Sequence, residues 1–431
     1  MRTYQETLDY LYSRLPMFQR IGPAAYKKDL TNITALCNAL GNPQESFKSI
    51  HIAGTNGKGS VAHMLYVFMM ETGYITGIST SPHYKDFRER IKVEGSYITE
   101  DYVVRFVENH KKLIEDIQPS FFELTTAMAF DYFRSEGVEW AIIETGLGGR
   151  LDSTNIIIPE LSIITNISLD HQNMLGDTLE LIAMEKAGII KEGVPVIVGE
   201  RQEEVAPVFI RQALSKKSEI VFASDDVKVE ALSFSEEGMQ IRVTRSGTML
   251  YESFITDLLG SYQLRNIGTF IRACEKMERI INIENLFELL PQVLSNVKLE
   301  GNLMGRMDII GKEPLCILDS AHNEAGLKYL FEELKRFEKD RWHIVFGTVN
   351  DKDMSPIWPL LPKEAIYYFA KADVPRGMDA RLLLESATKL GLNGEAFSSV
   401  SEAFETSKKT AGKDDLIVIC GSIFVVAEIL P

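Results

Sequence analysis

Basic residues are in deficit. The chain carries 46 Lys and Arg against 61 Asp and Glu, a formal net charge of −15. Such a surface is a poor match for nucleic acid, whose affinity rests largely on neutralising phosphates. It suits anionic membranes no better, although a local basic pocket for an anion stays open. Cysteine is scarce: Cys37, Cys274, Cys316 and Cys420 stand far apart and form no C-x-x-C pair. That pattern points to reduced, buried thiols in a cytosolic chain. Apolar runs are short. The longest, residues 416–427, falls below the ~20 residues that span a bilayer. It reads as a buried strand and its continuation. The N-terminus, Met1-Arg-Thr-Tyr-Gln-Glu, soon carries charge and lacks an apolar signal core, so the expected compartment is the cytoplasm. Internal repeats and low-complexity segments are missing as well.

What is present is enough chain for two or three domains, with 45% hydrophobic residues among 431. Helical spacing runs over 3–15, through Tyr4, Leu8, Leu11, Tyr12 and Leu15 to Pro16, and over 29–40 up to Gly41-Asn42-Pro43. Strands and helices then alternate. Strands are predicted at 49–53, 74–79, 140–144, 161–166 and 194–198, and helices at 60–72, 99–118, 122–136 and 178–187. This β-α-β order predicts a parallel sheet with helices on both faces. Residues 226–256 break the rhythm with three short alternating strands, a small antiparallel sheet attached to the first domain. Helices at 261–278 and 284–296 follow, and glycines cluster at 299–305. The α/β rhythm restarts with strands at 315–318, 343–346, 365–369 and 416–419 and a helix at 324–338.

The turn after the first strand reads Gly54-Thr55-Asn56-Gly57-Lys58-Gly59-Ser60. A strand, glycines, one lysine, one hydroxyl and a helix fall in the order of a phosphate cradle. Backbone N–H groups would point at anionic oxygens, Lys58 would reach terminal phosphates, and Ser60 could bind magnesium. The pattern departs from G-x-x-x-x-G-K-[ST], because Ile52 holds the first glycine position and Gly59 the hydroxyl position. The plain alternative is a glycine-rich turn with a surface lysine. The expected architecture is therefore α/β: a P-loop parallel-sheet domain over 1–297, with the small antiparallel sheet attached, and a smaller Rossmann-like α/β domain over 298–431. Two such domains imply a cleft, and ligands of open α/β sheets sit at the carboxyl ends of strands.

Four loops follow such ends. They hold Ser81-Pro82-His83 and Arg90; Glu144-Thr-Gly-Leu-Gly-Gly-Arg150-Leu-Asp152; Ser168-Leu-Asp170-His171; and the cradle itself. Glu144, Asp152, Asp170 and His171 are hard or borderline ligands, suited to an ion that keeps waters and bridges phosphates. His171 could equally cap a helix, and Asp170 could be a turn residue. The glycines at 146–149 suggest close approach to a ligand.

The stretches together resemble the folylpolyglutamate synthetase and dihydrofolate synthetase family, a branch of the Mur-ligase-like ATP-dependent amide ligases. They are His51–Ser60, Ser79-Thr-Ser-Pro-His83, Glu144–Asn155, Asn166-Ile-Ser-Leu-Asp-His171, Glu185-Lys186-Ala-Gly-Ile189, Gly305-Arg306-Met and Leu318-Asp319-Ser-Ala-His322-Asn323. They come in the family's order from about residue 30 to 425. The resemblance implies that ATP phosphorylates a carboxylate and that the amine of L-glutamate attacks the acyl phosphate. It places Gly54, Thr55, Asn56, Gly57, Lys58, Gly59 and Ser60 on the nucleotide, with Asn266, Arg306, Asp319 and His322. It places Ser60, Ser81, Glu144, His171 and a carbamylated Lys186 around Mg2+, and makes Lys58, His171 and Lys186 catalytic. Without it, Lys186 would read as a solvated helix lysine. Ser320 stands where many relatives have Gly.

Arg90, Phe122 and Asp152 match dihydropteroate-site positions of bifunctional bacterial relatives, though Phe122 reads equally as core packing. The implied partners are small molecules, namely ATP, L-glutamate and dihydropteroate or a reduced folate, with no nucleic acid, no membrane and a monomeric chain. Folylpolyglutamate synthesis alone is the nearer alternative. A cell-wall Mur ligase would need a further N-terminal domain, for which the 48 residues before the cradle strand are too few. A nucleotide-binding regulatory protein is the reading from another class.

Overall fold

The structure is a computed structural model and describes residues 2–17, 22, 29–283 and 285–430. The chain forms two compact units. The first runs to Leu303 without residues 235–237 and 258–262, and the second holds those two segments and the residues from Met304 onward. The sequence reading divides the chain after 297, in the helix Val297–Gly301.

The first unit is built on an eight-stranded sheet. Its strands are β1 (Lys48–Ala53), β2 (Thr76–Ser79), β3 (Ile91–Val93), β4 (Ser96–Tyr97), β5 (Trp140–Glu144), β6 (Leu161–Ile164), β7 (Val196–Val198) and β8 (Ile220–Phe222), in the order β4-β3-β2-β5-β1-β6-β7-β8. Every residue of β5 and β6 is buried. Continuous apolar runs of this kind belong to parallel strands covered on both faces. The helix Lys58–Glu71 is buried at ten positions from Ser60 to Met69, as a helix apolar all round must be. One core cluster includes Leu11, Ile33, Phe87, Phe121, Phe130, Phe133 and Ile143, and another Ile164, Ile182, Val196 and Phe209. The helix Phe121–Ser135 starts from a capping box of Ser120 and Glu123.

A three-stranded antiparallel sheet of β9 (Val227–Ser235), β10 (Gly238–Arg245) and β11 (Thr248–Thr256) follows, in the order β11-β10-β9. Ser246 and Gly247, both at positive φ, make the two-residue turn that a right-twisted hairpin favours. The second unit carries β12 (Asp308–Lys312), β13 (Leu315–Leu318), β14 (Trp342–Phe346), β15 (Ile366–Ala370), β16 (Asn393–Phe397) and β17 (Leu416–Cys420), in the order β12-β13-β17-β14-β15-β16. Its pairs are parallel apart from β12 against β13. The α/β architecture is that read from the sequence.

Several local readings differ. β3 pairs antiparallel with β2, and the edge strand β4 pairs antiparallel with β3, so the first sheet is mixed. The helix read over 99–118 is two helices, Glu100–Asn109 and Lys111–Ile117, parted at His110. The buried strand read at the start of 416–427 is β17, which ends at Cys420, and its continuation is a helix: Gly421 turns at φ 95°, and Ser422 caps Ile423–Ile429. The helix read over 284–296 is a 3-10 turn, Leu286–Leu289, and a short helix, Leu290–Ser295; residue 284 lies outside the described residues. All four cysteines are buried and free. No helix among the described residues is long and apolar enough to cross a membrane.

In the first sheet β2, β5, β1 and β6 are consecutive neighbours. In register, Ile52 of β1 pairs Glu144 of β5, and Ala53 pairs Ile164 of β6. The four loops singled out in the sequence thus leave one edge of the sheet side by side.

Candidate active site

The cradle is rigid because its neighbours leave no room for side chains. Gly54 has φ 150°, and a Cβ there would stand 1.9 Å from Thr165 Oγ1. A Cβ on Gly57, at φ 85°, would stand 2.2 Å from Asn266 Oδ1. The loop after β6 fastens the turn from outside. Thr55 N donates to Asn166 O at 2.9 Å, Asn56 N donates to Asn166 Oδ1 at 3.2 Å, and Thr165 Oγ1 donates to Asn56 O at 2.6 Å. Gly57 N-caps the helix Lys58–Glu71 without a side-chain cap. The first N–H groups of a helix have no partner within it and can point at an anion. Ser60 Oγ is buried and without a hydrogen-bond partner.

Two lysines converge on one carbonyl. Lys58 Nζ donates to Gly54 O at 3.1 Å and to Thr55 O at 3.2 Å. Lys186 Nζ donates to the same Gly54 O at 2.7 Å. Lys186 is 4% exposed, so it is not a solvated helix lysine. Burial and the charge of Lys58 lower its pKa to about 7, against the pull of Asp170 and Asp152.

Glu144, at the end of β5, is buried, and its Oε2 accepts from Ser81 N at 3.1 Å. A Cβ on Gly59 would lie 4.0 Å from Glu144 Oε1, which sets the carboxylate beside the start of the cradle helix. Among the described residues no group of three or more His, Cys, Asp or Glu could hold a metal. The unpartnered Ser60 hydroxyl and the Glu144 carboxylate still fit a hard cation that takes its other oxygens from water and phosphate, as Mg2+ does. His171 lies in the loop after β6. Its φ is 50°, its side chain is 37% exposed, and its Nε2 lies 3.8 Å from Asp170 Oδ2. It precedes the helix Gln172–Leu175 without a side-chain cap bond.

Arg90 is buried, donates from Nε to His83 Nδ1 at 2.6 Å, and lies 5.3 Å from the Phe121 ring centroid. Burial lowers its pKa to about 10 and holds His83 well below the usual imidazole range. Phe122 is half-buried. A Cβ on Gly146 would meet its ring at 2.6 Å, so this glycine exists to seat the ring. The Asp152 carboxylate is engaged: Oδ2 accepts from Leu147 N at 2.7 Å, and Oδ1 from Thr154 N at 3.0 Å and Thr154 Oγ1 at 2.5 Å. Thr154 Oγ1 is 2.8 Å from His51 Nε2, which ties the glycine loop to β1.

In the second unit Asp319 follows β13. Its Oδ2 accepts from Met307 N at 3.0 Å and Tyr262 Oη at 2.9 Å, and its Oδ1 from Ala321 N at 2.8 Å. Burial raises its pKa, against the charge of Arg306. His322 Nδ1 is 2.9 Å from Ser320 O, and Asn323 caps the helix Glu324–Leu334. The sequence reading missed Thr165 and Tyr262, and named His83 only as part of a loop without a role. A threonine at the C-terminal end of a strand beside the cradle strand is a usable signal for the first.

Residues 52–273 match the Mur ligase middle domain, and residues 305–423 match the Mur ligase glutamate ligase domain. The dihydrofolate synthase/folylpolyglutamate synthase of Bacillus subtilis is 33% identical, over 99% of this chain and 98% of that protein. Among solved structures, E. coli FolC in complex with DHPP and ADP superposes with a TM-score of 0.85 at 28% identity, over 99% of this chain and 97% of that one. A bifunctional folylpolyglutamate synthase/dihydrofolate synthase from Yersinia pestis, complexed with AMPPNP and Mn ion, gives 0.84 at 25% identity, over 100% and 97%.

The Lys186 site makes stability depend on pH. Its ordinary pKa is 10.5, and in the folded chain it is about 7. Between these values the unfolded chain holds a proton that the folded chain releases, so stability rises with pH from about 7 and is flat in this term below it. Urea unfolding in CO2-free buffer between pH 7 and 9 should show a slope steeper by up to ~1.4 kcal/mol per pH unit in the wild type than in Lys186→Met. Parallel slopes would contradict the burial of a neutral amine.

Proposed function

The chain belongs to the dihydrofolate synthase/folylpolyglutamate synthase family of Mur-type ligases, and we propose that it is the bifunctional enzyme. In this reading it adds L-glutamate to dihydropteroate and to reduced folates in an ATP-dependent reaction. The observation that carries the reading is the buried Lys186 amine on the carbonyl of the phosphate turn, which it shares with Lys58, in a turn whose Ser60 hydroxyl is unpartnered.

The chemistry is a ligation in two transfers. A carboxylate oxygen of the folate attacks the γ-phosphorus of ATP, and ADP leaves. The glutamate amine then attacks the acyl carbon, loses a proton, and inorganic phosphate leaves from the tetrahedral intermediate. The N–H groups from Gly57 to Ser60, at the start of the cradle helix, hold the phosphates, while those of Thr55 and Asn56 fasten the turn to Asn166, and Lys58 follows the charge that moves with the γ-phosphoryl group. Bound Mg2+ would neutralise that charge further, held by Ser60, Ser81, Glu144 and His171. Lys186 completes this set as a carbamate. Its neutral amine attacks CO2, a proton leaves, and a cation becomes an anionic oxygen ligand. A pKa of about 7 supports this, because only the free amine is nucleophilic.

Asn266 lies against the turn itself. Assignment of Arg306, Asp319 and His322 to the nucleotide rests on the family motifs in which they stand. At the pterin end we assign Phe122 to the ring, Arg90 to the folate and Asp152 to the loop that faces it. The acidic surface and the four reduced cysteines support a monomer that works in the cytoplasm on small molecules, with neither nucleic acid nor membrane as partner.

ADP release should require ATP, a divalent metal, glutamate and either dihydropteroate or tetrahydrofolate. Lys58→Ala should lower kcat by about 10²–10³ in a folded protein. Wild-type turnover in that variant would contradict the phosphate-loop assignment.

Phe122→Ala separates the two activities. The ring is half-buried against Gly146, so a thermal unfolding scan of the variant accompanies the kinetics. Dihydropteroate turnover should fall roughly tenfold more than tetrahydrofolate turnover, on the order of one aromatic stacking contact. Equal falls in both would remove Phe122 from the pterin site. No dihydropteroate turnover in the wild type would leave folylpolyglutamate synthesis as the sole activity.

A further inference from the structure

A second buried lysine stands behind the phosphate turn. Lys92, on β3, is 2% exposed. Its Nζ donates to His63 Nε2 at 3.1 Å and to Gly301 O at 2.7 Å. His63, on the cradle helix, is 6% exposed, and its Nδ1 lies 2.7 Å from Gly59 O. A carbonyl only accepts, so Nδ1 carries the proton and Nε2 accepts from the lysine. The three groups form one directed chain from Lys92 through a neutral imidazole to the Gly59 carbonyl.

The far end of this chain is a peptide plane. Gly59 C=O and Ser60 N–H belong to the same planar trans peptide and point in opposite directions. To hold the carbonyl is to aim the N–H. Ser60 N–H lies in the first turn of Lys58–Glu71, where N–H groups have no partner within the helix. The Ser60 hydroxyl is likewise unpartnered. Burial lowers the pKa of Lys92 to about 8, with Glu89 the carboxylate whose field opposes this.

We propose that Lys92, acting through His63, is a positioning residue that sets the Gly59–Ser60 peptide for the nucleotide phosphates. This rests on the reading of the turn as a nucleotide site. The plainer role for Lys92 is to cap the last carbonyls of Val297–Gly301, a helix whose Gly301 would place a Cβ 3.4 Å from His63 Cβ. That role accounts for the bond to Gly301 and leaves the bond to His63 without purpose. A charge buried without a carboxylate partner is costly where a methionine would pack as well. The relay gives that charge a use: it polarises the imidazole and strengthens the bond that His63 donates.

Two measurements test the relay. Nitrogen-15 NMR of histidine-labelled wild-type protein should show a neutral His63 with the proton on Nδ1. A proton on Nε2, or an imidazolium, would overturn the proposal whether or not any variant folds. Calorimetric titration with ADP and magnesium then compares wild type, Lys92→Met, Lys92→Arg, His63→Phe and the double variant Lys92→Met/His63→Phe. Each single removal should weaken ADP binding about tenfold, and the double variant no further, since both residues act through one bond. Lys92→Arg should stay near wild type, and KM for glutamate should not change. Wild-type affinity in folded Lys92→Met, or additive losses in the double variant, would overturn the relay. Failure of the wild type itself to bind ADP would overturn the phosphate-loop reading instead.

Discussion

The carbonyl oxygen of Gly54 accepts from two lysines at once, and the site is arranged around that oxygen. Gly54 can take its backbone conformation only without a Cβ, because Thr165 Oγ1 occupies the place a Cβ would fill. The close approach brings β6 and its loop against the turn, and those residues then hold the turn from outside. Two ammonium groups on one carbonyl repel each other, by ~4 kcal/mol at 4 Å and an effective dielectric of 20. Burial of Lys186 is the larger cause of its lowered pKa and the charge of Lys58 adds to it, and Lys186 yields by giving up its proton near pH 7. The turn therefore carries two lysines on one carbonyl, one of them a buried amine of lowered pKa.

Sheet order explains why these groups meet. Because β1 lies between β5 and β6, and β2 lies beyond β5, four loop ends stand in a row. Glu144 is placed by its register against Ile52, two residues before Gly54. Ser81 N reaches Glu144 from the neighbouring strand end. On the other flank Phe122 seats on Gly146, and Asp152 and Thr154 fasten that glycine loop to His51 of β1. The glycine loop is thus held in place by Asp152 and Thr154 on one side and by the Phe122 ring on the other.

Much of this was legible in the sequence where chemistry and spacing coincide. The cradle, Glu144 and the α/β rhythm rest on local patterns: a strand, then glycines, then a lysine and a hydroxyl. The three short alternating strands over 226–256 announced the small antiparallel sheet in the same way. What was not legible depends on long-range register. Nothing in Met184-Glu-Lys-Ala-Gly188 tells that Lys186 is buried, since its contact is with Gly54, 132 residues away. His63 and Lys92 read as ordinary polar residues until β3 is folded back against β2. That strand was missed because three residues of Ile91–Val93 are too few for a periodic signal. The break at His110 was missed because helical spacing continues through it.

Carbon-13 NMR of the protein in labelled bicarbonate is the most direct test of the Gly54 arrangement and of the neutral amine within it. A carbamate carbon should appear on Lys186 near neutral pH, be lost on acidification, and be missing from Lys186→Ala. An active wild-type sample that shows no such carbon, with Lys186 a bare ammonium, would contradict the claim that burial and Lys58 together prepare this lysine to become an anionic ligand.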